Sequence, residues 1–353
     1  AAAGGGNGAS GAVGPGGASP ADIPDFDGPY LVLAENLRTP WSIAFVGDTV
    51  YVSEREGSIV KIGPDGTLER KTVRLAADVA AVGESGFLGF VPSPDFAESR
   101  TAYAYHTYAQ GARMLNRVVL LKEEDDAWTE VRALIEGIPG SRVHDGGRIA
   151  IGPDGHVYIT TGDAGQGELA QNISSLAGKI LRMAADGGVP QDNPFPNSYV
   201  YSYGHRNPQG IAWTADGTMY ASEHGPSGNP GGHDEINLIV PGADYGWPDV
   251  YRDAAKRGAQ SPLYHSGPPP AIAPSGLAAT EDGKLLLATL RGETLFLFDP
   301  AAPGTLTPIL ENEGRLRDVA VRGRYAYVLT NNTDGRGRPG PNDDRLLLLR
   351  LPD

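Results

Sequence analysis

One three-run pattern occurs six times along this chain, and that repetition is what most limits the folds open to it. Its middle run is a short apolar alternation: DTVYVSERE from 48, TAYAYHTYA from 101, HVYITTGDA from 156, TMYASEHGP from 218, KLLLATLRG from 284 and RYAYVLTNN from 324. A second apolar run follows most of these: SIVKI, NRVVLLK, GKILRM, DEINLIV, ETLFLFD and DRLLLLRL. A third precedes each: WSIAFVGD, GFLGFVPSPD, GGRIAIGPDG, QGIAWTADG, SGLAATEDG and RDVAVRGR. Period-2 alternation between turn residues is the signature of half-buried strands. Asp-Gly and Gly-Asp pairs between the runs supply hairpin turns.

A sheet of three or four strands cannot bury both faces alone, so six such units are expected to pack side by side around an axis. The expected fold is all-β: a six-bladed β-propeller with a central channel over 28–353. A β-sandwich of this size would show alternation but not six turns of one grammar. The 353 residues include 49 Gly and 29 Pro spread along the whole length, which favours many short strands over long helices. Residues 1–27 open with AAAGGGNGASGAVGPGG, cannot build a core, and are expected to form a disordered tether.

Charge and cysteine content exclude several functions. A net charge of −14 argues against nucleic acid or anionic lipid as a partner, because phosphate binding needs a basic face. With no cysteine there is no disulfide, thiolate metal site or Cys nucleophile. No apolar run approaches the roughly 20 residues of a membrane span. A tether ahead of a compact, cysteine-free body suggests an exported protein: periplasmic, cell-surface or extracellular.

In a propeller the segment entering each inner strand opens on one mouth of the channel, and here those entries are polar. They carry Glu84 in GESGFLG, His144 and Asp145 in VHDGGRI, Arg206 and Asn207 in HRNPQG, and Arg315 and Arg317 in GRLRDVA. Arg291 sits at a second-to-third strand turn facing the same side. Arginine forks match carboxylates in pairs, as lysine does not. Histidine is the side chain suited to act as a base near neutral pH. Taken singly, these are as well read as surface ion pairs and turn residues; taken together, they describe a site for a compact ligand with several carboxylates or carbonyls. Asp163 follows the third unit's middle run, either as a wall of that site or as an ordinary turn residue.

The stretch SEHGPSGNPGGHDEINLIVPGADYGWP is rich in carboxylates and loop carbonyls, a composition that suits Ca²⁺. Gly225 and Pro226 offer carbonyls beside the channel, and Glu235 offers a carboxylate to a separate site. His224 and His233 match no standard zinc spacing. The loop NNTDGRGRPGPNDD at 331–344 reads as a long final hairpin.

The ordered series WSIAFVGD, GESGFLGFVPSPDF, HDGGRIAIGPDG, GKILRM with GGVPQDNPF, YGHRNPQGIAW, SEHGPSGNPGGHDEINLI, DYGWP and RLRDVAV resembles the glucose/sorbosone dehydrogenase family, which includes the soluble PQQ-dependent aldose sugar dehydrogenases. The resemblance spans nearly the whole repeat region. It implies a six-bladed propeller carrying PQQ and Ca²⁺, which oxidises the C1 hydroxyl of an aldose to a lactone by hydride transfer and passes electrons to an external acceptor. It implies that His144 is the general base and that Arg206 stabilises charge on the quinone. Asn207, Arg291, Arg315 and Arg317 join them as cofactor contacts, and Glu84 lies near the sugar; by position in the repeat, Asp145 and Asp163 are the further candidates for the sugar side. Gly225 and Pro226 would bind the catalytic Ca²⁺ through their carbonyls, and Glu235 with the Tyr245 carbonyl a second one.

The chain departs from the family pattern in its sugar and cofactor walls. Arg291 replaces a lysine, Glu84 a glutamine of some members, and Val143 an aspartate of some glucose enzymes. AIAPS at 271–275 lacks an aromatic, and Ala255 follows Asp253 in a further calcium segment. These changes favour broad aldose use over glucose alone. Two rivals stand beside this reading: a Ca²⁺-dependent lactonase-type hydrolase, which needs more carboxylates around one metal, and a non-catalytic propeller that binds a protein or glycan.

Overall fold

A computed structural model describes residues 23, 25–227, 231–251 and 257–352. Residues 1–22 of the expected tether, and Asp253 and Ala255, lie outside the described residues. At the start of the described chain, Ile23 and Phe26 pack against the apolar cluster beneath the last sheet.

The described chain is all-β, and each of the six sequence units gains a fourth strand. The first sheet holds Pro40–Val46, Thr49–Glu54, Ser58–Ile62 and Leu68–Arg74. The second holds Phe87–Pro92, Thr101–Gln110, Arg113–Glu123 and Ala127–Pro139, and the third Ile149–Ile151, Val157–Thr161, Lys179–Met183 and Val200–Tyr203. The fourth holds Pro208–Trp213, Met219–Glu223, Glu235–Leu238 and Tyr264–His265, and the fifth Pro274–Ala279, Leu285–Thr289, Thr294–Phe298 and Leu306–Glu311. The sixth runs Leu316–Arg322, Tyr325–Thr330, Leu346–Arg350, and takes its outer strand, Leu31–Ala34, from the start of the chain. That pairing ties the two ends of the repeat region together.

Local grammar explains the shared geometry. In the fourth and fifth sheets the turns TADG and TEDG are built alike. Thr214 Oγ1 bonds Asp216 Oδ1 at 2.7 Å, and Thr280 Oγ1 bonds Asp282 Oδ1 at 2.6 Å. Inner strands lie beside one another from sheet to sheet, with Val157–Thr161 serving this role against the fourth sheet. Leu316–Arg322 returns to the side of Pro40–Val46 and closes the ring. Between the first and second sheets the wedge is filled by Tyr51, Phe90, Phe96 and Trp128, with Trp128 edge-on to Tyr51 and Phe90. Such aromatic pairs add to what their burial already contributes. One pairing was not expected from the repeats. The outer strands Leu68–Arg74 and Ala127–Pro139 join in parallel over three residue pairs, fusing the first two sheets into one of eight strands.

Among the described residues no helix is long and apolar enough to cross a membrane.

Candidate active site

In an antiparallel sheet the start of the first strand and the end of the second meet at one edge. Residues before first strands and after second strands therefore converge at one end of the ring. There they line a cavity of about 690 Å³. Glu84, His144, Arg206 and Arg315 come from the entries; Gly225, Arg291 and Arg336 come from the exits. The volume lies inside the ~300–1,000 Å³ range of small-molecule sites.

His144 is fixed from several sides. Its backbone has φ 58, a left-handed conformation costing about 1–2 kcal/mol for a residue with a Cβ. Its N–H donates to Glu84 Oε2 at 3.1 Å, and its carbonyl accepts from Ala164 N at 3.2 Å. Gly162 makes this possible, because a Cβ there would lie 1.8 Å from the His144 carbonyl oxygen. Asp163 Oδ1 takes the ring at Nδ1, 2.7 Å away. The same carboxylate accepts from Gly165 N at 2.8 Å and, through Oδ2, from Trp247 Nε1 at 2.8 Å. A carboxylate only accepts, so Nδ1 carries the proton and Nε2 is left as the free base. Asp163 is buried behind His144 and does not line the cavity, so it positions the ring instead of touching a ligand.

Positive charge dominates the wall. Arg206 is 6% exposed and makes only long bonds, to the His224 carbonyl at 3.4 Å and Ser227 Oγ at 3.3 Å. Its guanidinium lies 5.4 Å from the Trp247 ring centroid. Burial pulls its pKa down despite nearby Asp163, Glu223, Glu84 and Asp234. Among the described residues neither Arg206 nor the exposed Arg291 has an ion-pair partner. Arg315 is held by Asp334, Nε to Oδ2 at 2.8 Å.

Other expected contacts stand behind the lining. Arg317 points at neutral partners: Asn331 Oδ1 at 3.0 and 2.8 Å and Gln209 Oε1 at 3.0 Å. Burial pushes its pKa down to about 9. Asn207 Oδ1 accepts from Gly146 N at 3.1 Å, while its Nδ2 is a buried donor without a partner. Of the donors in HRNPQG only Arg206 reaches the cavity wall. His205 is spent on structure, bonding Glu223 and Ser202 at 2.8 Å each and stacking on Tyr245.

Glu84 lines the cavity and Asp145 does not. Burial alone would raise the Glu84 carboxyl, yet it is held down to about 2. His224 contributes in principle, but burial lowers it to about 4, so it is neutral at pH 7. The bonds from His144 N and Arg336 are what keep Glu84 ionised.

Asp145 faces inward from the residue next to the base. Its Oδ1 accepts from Asn116 Nδ2 at 2.9 Å and Ser141 N at 3.1 Å, while Oδ2 is buried without a partner. Burial pushes it up to about 7. Between the ordinary carboxylate range and pH 7, the folded chain keeps a proton that the unfolded chain has lost. The contribution of Asp145 to stability therefore falls as pH rises through that window and levels off above it. Asp145→Asn keeps the Oδ1 bonds and removes the ionisation. Urea midpoints from pH 5 to 8 should fall less steeply for the variant than for the wild type. Parallel pH profiles would show that Asp145 is not held protonated.

A second, much smaller cavity of about 10 Å³ lies beside Glu223, Glu235 and Tyr245, with Gly225 and Pro226 between it and the larger one. Glu235 is raised well above the usual carboxylate range, first by burial and then by Glu223. Asn237 donates to Glu235 Oε2 at 3.1 Å, and its own Oδ1 is a buried oxygen without a donor. Gly225 is required where it stands, since a Cβ would lie 2.1 Å from the Gly232 carbonyl oxygen. This donor set is all oxygen, the kind a hard cation takes. Among the described residues no three His, Asp or Glu side chains cluster as a metal site, so backbone carbonyls would have to complete the coordination.

Sequence reasoning missed Asp234 and Arg336. Asp234 accepts from Gly225 N at 2.9 Å and from Ile272 N and Ala273 N at 2.7 and 3.0 Å, which fastens the HGP loop to the entry of the fifth sheet. Arg336 lies on the hairpin loop between Tyr325–Thr330 and Leu346–Arg350, and it meets Glu84 from 252 residues away.

The sequence model described as Glucose / Sorbosone dehydrogenase matches residues 37–348. Quinoprotein glucose dehydrogenase B of Acinetobacter calcoaceticus is 34% identical over 259 residues, 63% of this chain and 53% of that protein. The match therefore spans about half the length of that relative. The aldose sugar dehydrogenase YliI of Escherichia coli (strain K12) is 28% identical over 341 residues, 86% of this chain and 90% of its own. In structure, the PQQ-bound form of aldose sugar dehydrogenase from Streptomyces coelicolor superposes with a TM-score of 0.84 at 38% identity, covering 92% of this chain and 97% of that one.

Proposed function

The chain belongs to the glucose/sorbosone dehydrogenase family, and from that premise we propose that it is a PQQ-dependent aldose sugar dehydrogenase whose six sheets are the blades of a propeller around a central channel. One observation carries the cofactor assignment. Arg206 and Arg291 have no ion-pair partner among the described residues, and both line a cavity that also holds an oriented histidine. Cations in a partly buried wall call for an anionic ligand, and PQQ carries three carboxylates.

Arg206, Arg291 and Arg315 hold that ligand from three sides of the cavity. Asn207 stands behind that wall, its Oδ1 holding Gly146 N and its Nδ2 a buried donor without a partner. Arg317 supports the site from behind with a buried positive charge. When bound, PQQ supplies the two-electron acceptor for sugar oxidation. The carbonyls of Gly225 and Pro226 would hold a calcium ion, which would supply Lewis acidity, and Glu235 with the Tyr245 carbonyl would hold a second.

The chain's own part is positional and acid–base. Asp163 keeps the proton on Nδ1, so His144 Nε2 takes the proton from the C1 hydroxyl. The His144 N–H donates to the Glu84 carboxylate and its carbonyl accepts from Ala164 N, which fixes the backbone that carries the ring. Glu84, ionised at neutral pH, accepts from sugar hydroxyls. Asp145, turned inward, supports the loop of the base. The product is the lactone, and electrons leave to an external acceptor. An exported location is consistent with a chain that has no thiol for an oxidising compartment to act on.

Reconstitution tests this. Metal-free protein is given Ca²⁺ and PQQ, separately and together, followed by several aldoses and an artificial electron-accepting dye. Dye reduction should require both additions. A folded, calcium-loaded protein that fails to bind PQQ would sink the reading.

A further inference from the structure

We propose that the Glu84–Arg336 ion pair is a clamp for the C2 hydroxyl of the aldose, which makes Arg336 a specificity-determining residue. The proposal rests on the dehydrogenase reading and adds a residue to the sugar side of that site.

Arg336 is delivered by a fastened loop. Asp334 Oδ1 accepts from Arg336 N at 2.8 Å and Gly337 N at 3.0 Å, while its Oδ2 holds Arg315. Upstream, Thr333 is anchored to Asp344 and to Thr39 N, the latter at 3.0 Å. From this base the guanidinium reaches Glu84, Nη1 to Oε1 at 2.8 Å. That is the one side-chain bond Arg336 makes among the described residues, and the side chain remains 56% exposed. Its other donors stay available at the cavity wall it helps to line.

The other oxygen of Glu84 accepts from the backbone N–H of His144. The ion pair thus touches the backbone of the base and lines the same cavity, so a sugar whose C1 hydroxyl meets the His144 ring has a neighbour of C1 within reach of it. C1 has two neighbours, the ring oxygen and C2. A ring oxygen only accepts, whereas a hydroxyl both donates and accepts. An ionised carboxylate beside a cation offers both complements, so the C2 hydroxyl donates to Glu84 and accepts from Arg336. The cofactor does not need Arg336, because Arg206 and Arg291 are the guanidiniums left without carboxylate partners.

The test compares glucose with 2-deoxyglucose on holoenzyme reconstituted with PQQ and Ca²⁺, for the wild type and Arg336→Gln. Wild-type kcat/KM should favour glucose by about 10- to 100-fold, the range for a hydrogen bond to a charged group. In Arg336→Gln that ratio should shrink several-fold, to what the remaining bond to Glu84 supports, because the loss on glucose exceeds any loss on 2-deoxyglucose. PQQ affinity, followed by titration, should not move. The clamp is wrong if both sugars lose equally, if the ratio survives, or if the wild type never discriminates. Calorimetric binding of the two sugars to PQQ-loaded His144→Ala protein, with and without Arg336→Gln, gives the same comparison without turnover. Failure of the dehydrogenase reading looks different: the wild type then reduces no dye with any aldose. In that case a lack of 2-hydroxyl preference in calorimetry on the wild type would still overturn the clamp.

Discussion

Replacing His144 by alanine should slow sugar oxidation by about 10²–10⁴-fold, the usual worth of a positioned general base, while PQQ still binds. The separation of effects is the point. His144 lines the cavity beside the arginine wall, and it is the guanidiniums of that wall that meet the carboxylates. Asp163→Asn should lose activity to a comparable degree for a different reason. Asp163 accepts at both oxygens, from His144 Nδ1 and Gly165 N on one and Trp247 Nε1 on the other. An amide must turn its NH₂ toward one of those donors. If it meets the ring, it donates to Nδ1 and moves the imidazole proton to Nε2, so the base faces the sugar already protonated. Steady-state dye reduction and PQQ titration on both variants check this. A His144→Ala enzyme that turns over near the wild-type rate would move the base elsewhere. If Asp163→Asn alone stays active, the carboxylate is a scaffold for Trp247 and no more.

The sequence was legible where burial dictates its pattern. Middle strands such as VYITT at 157–161 and LLLAT at 285–289 are buried along their whole length, so their apolar grammar repeats and can be counted. The outer strand of the first sheet escaped because it is largely exposed. LERKTVR at 68–74 buries one residue of seven, and nothing in it marks a strand. The pairing of Leu31–Ala34 with Leu346–Arg350 depends on ring closure, which no local pattern encodes.

The site divides the same way. His144, Glu84, Arg206, Arg291 and Arg315 were found because position in the repeat sends them to one end. Asp145 was misplaced by one step of alternation: next to a residue facing the cavity, it turns to Asn116 and the interior. Arg317 is displaced differently: it lies inside the strand Leu316–Arg322, where Asn331 and Gln209 hold it behind the lining. Arg336 and Asp234 sit on long loops whose course is set by tertiary contacts, so sequence spacing said nothing of their destinations.

Arg206→Met should act in opposite directions on stability and on binding. In the cofactor-free protein the guanidinium is buried, and burial outweighs the pull of Asp163, Glu223, Glu84 and Asp234. Removing such a charge is often neutral or stabilising when its neighbours do not depend on it. Here they do not. Glu223 keeps the His205 ring and the backbone N–H of residue 206, and Asp163 keeps His144, Gly165 and Trp247. Met also preserves an apolar stem against Trp247. The urea midpoint of the cofactor-free variant should therefore match or exceed that of the wild type. PQQ affinity should fall by about 30- to 5,000-fold, the ~2–5 kcal/mol typical of truncating one side of a buried charge pair. Because a ligand stabilises the folded state by an amount that grows with the logarithm of its affinity, added PQQ should raise the wild-type midpoint well above that of the variant, reversing their order. A variant that loses stability without cofactor would make Arg206 a structural residue. Unchanged PQQ affinity would remove it from the binding wall. The reversal is the result expected of a protein that keeps an unpaired cation for the ligand it holds.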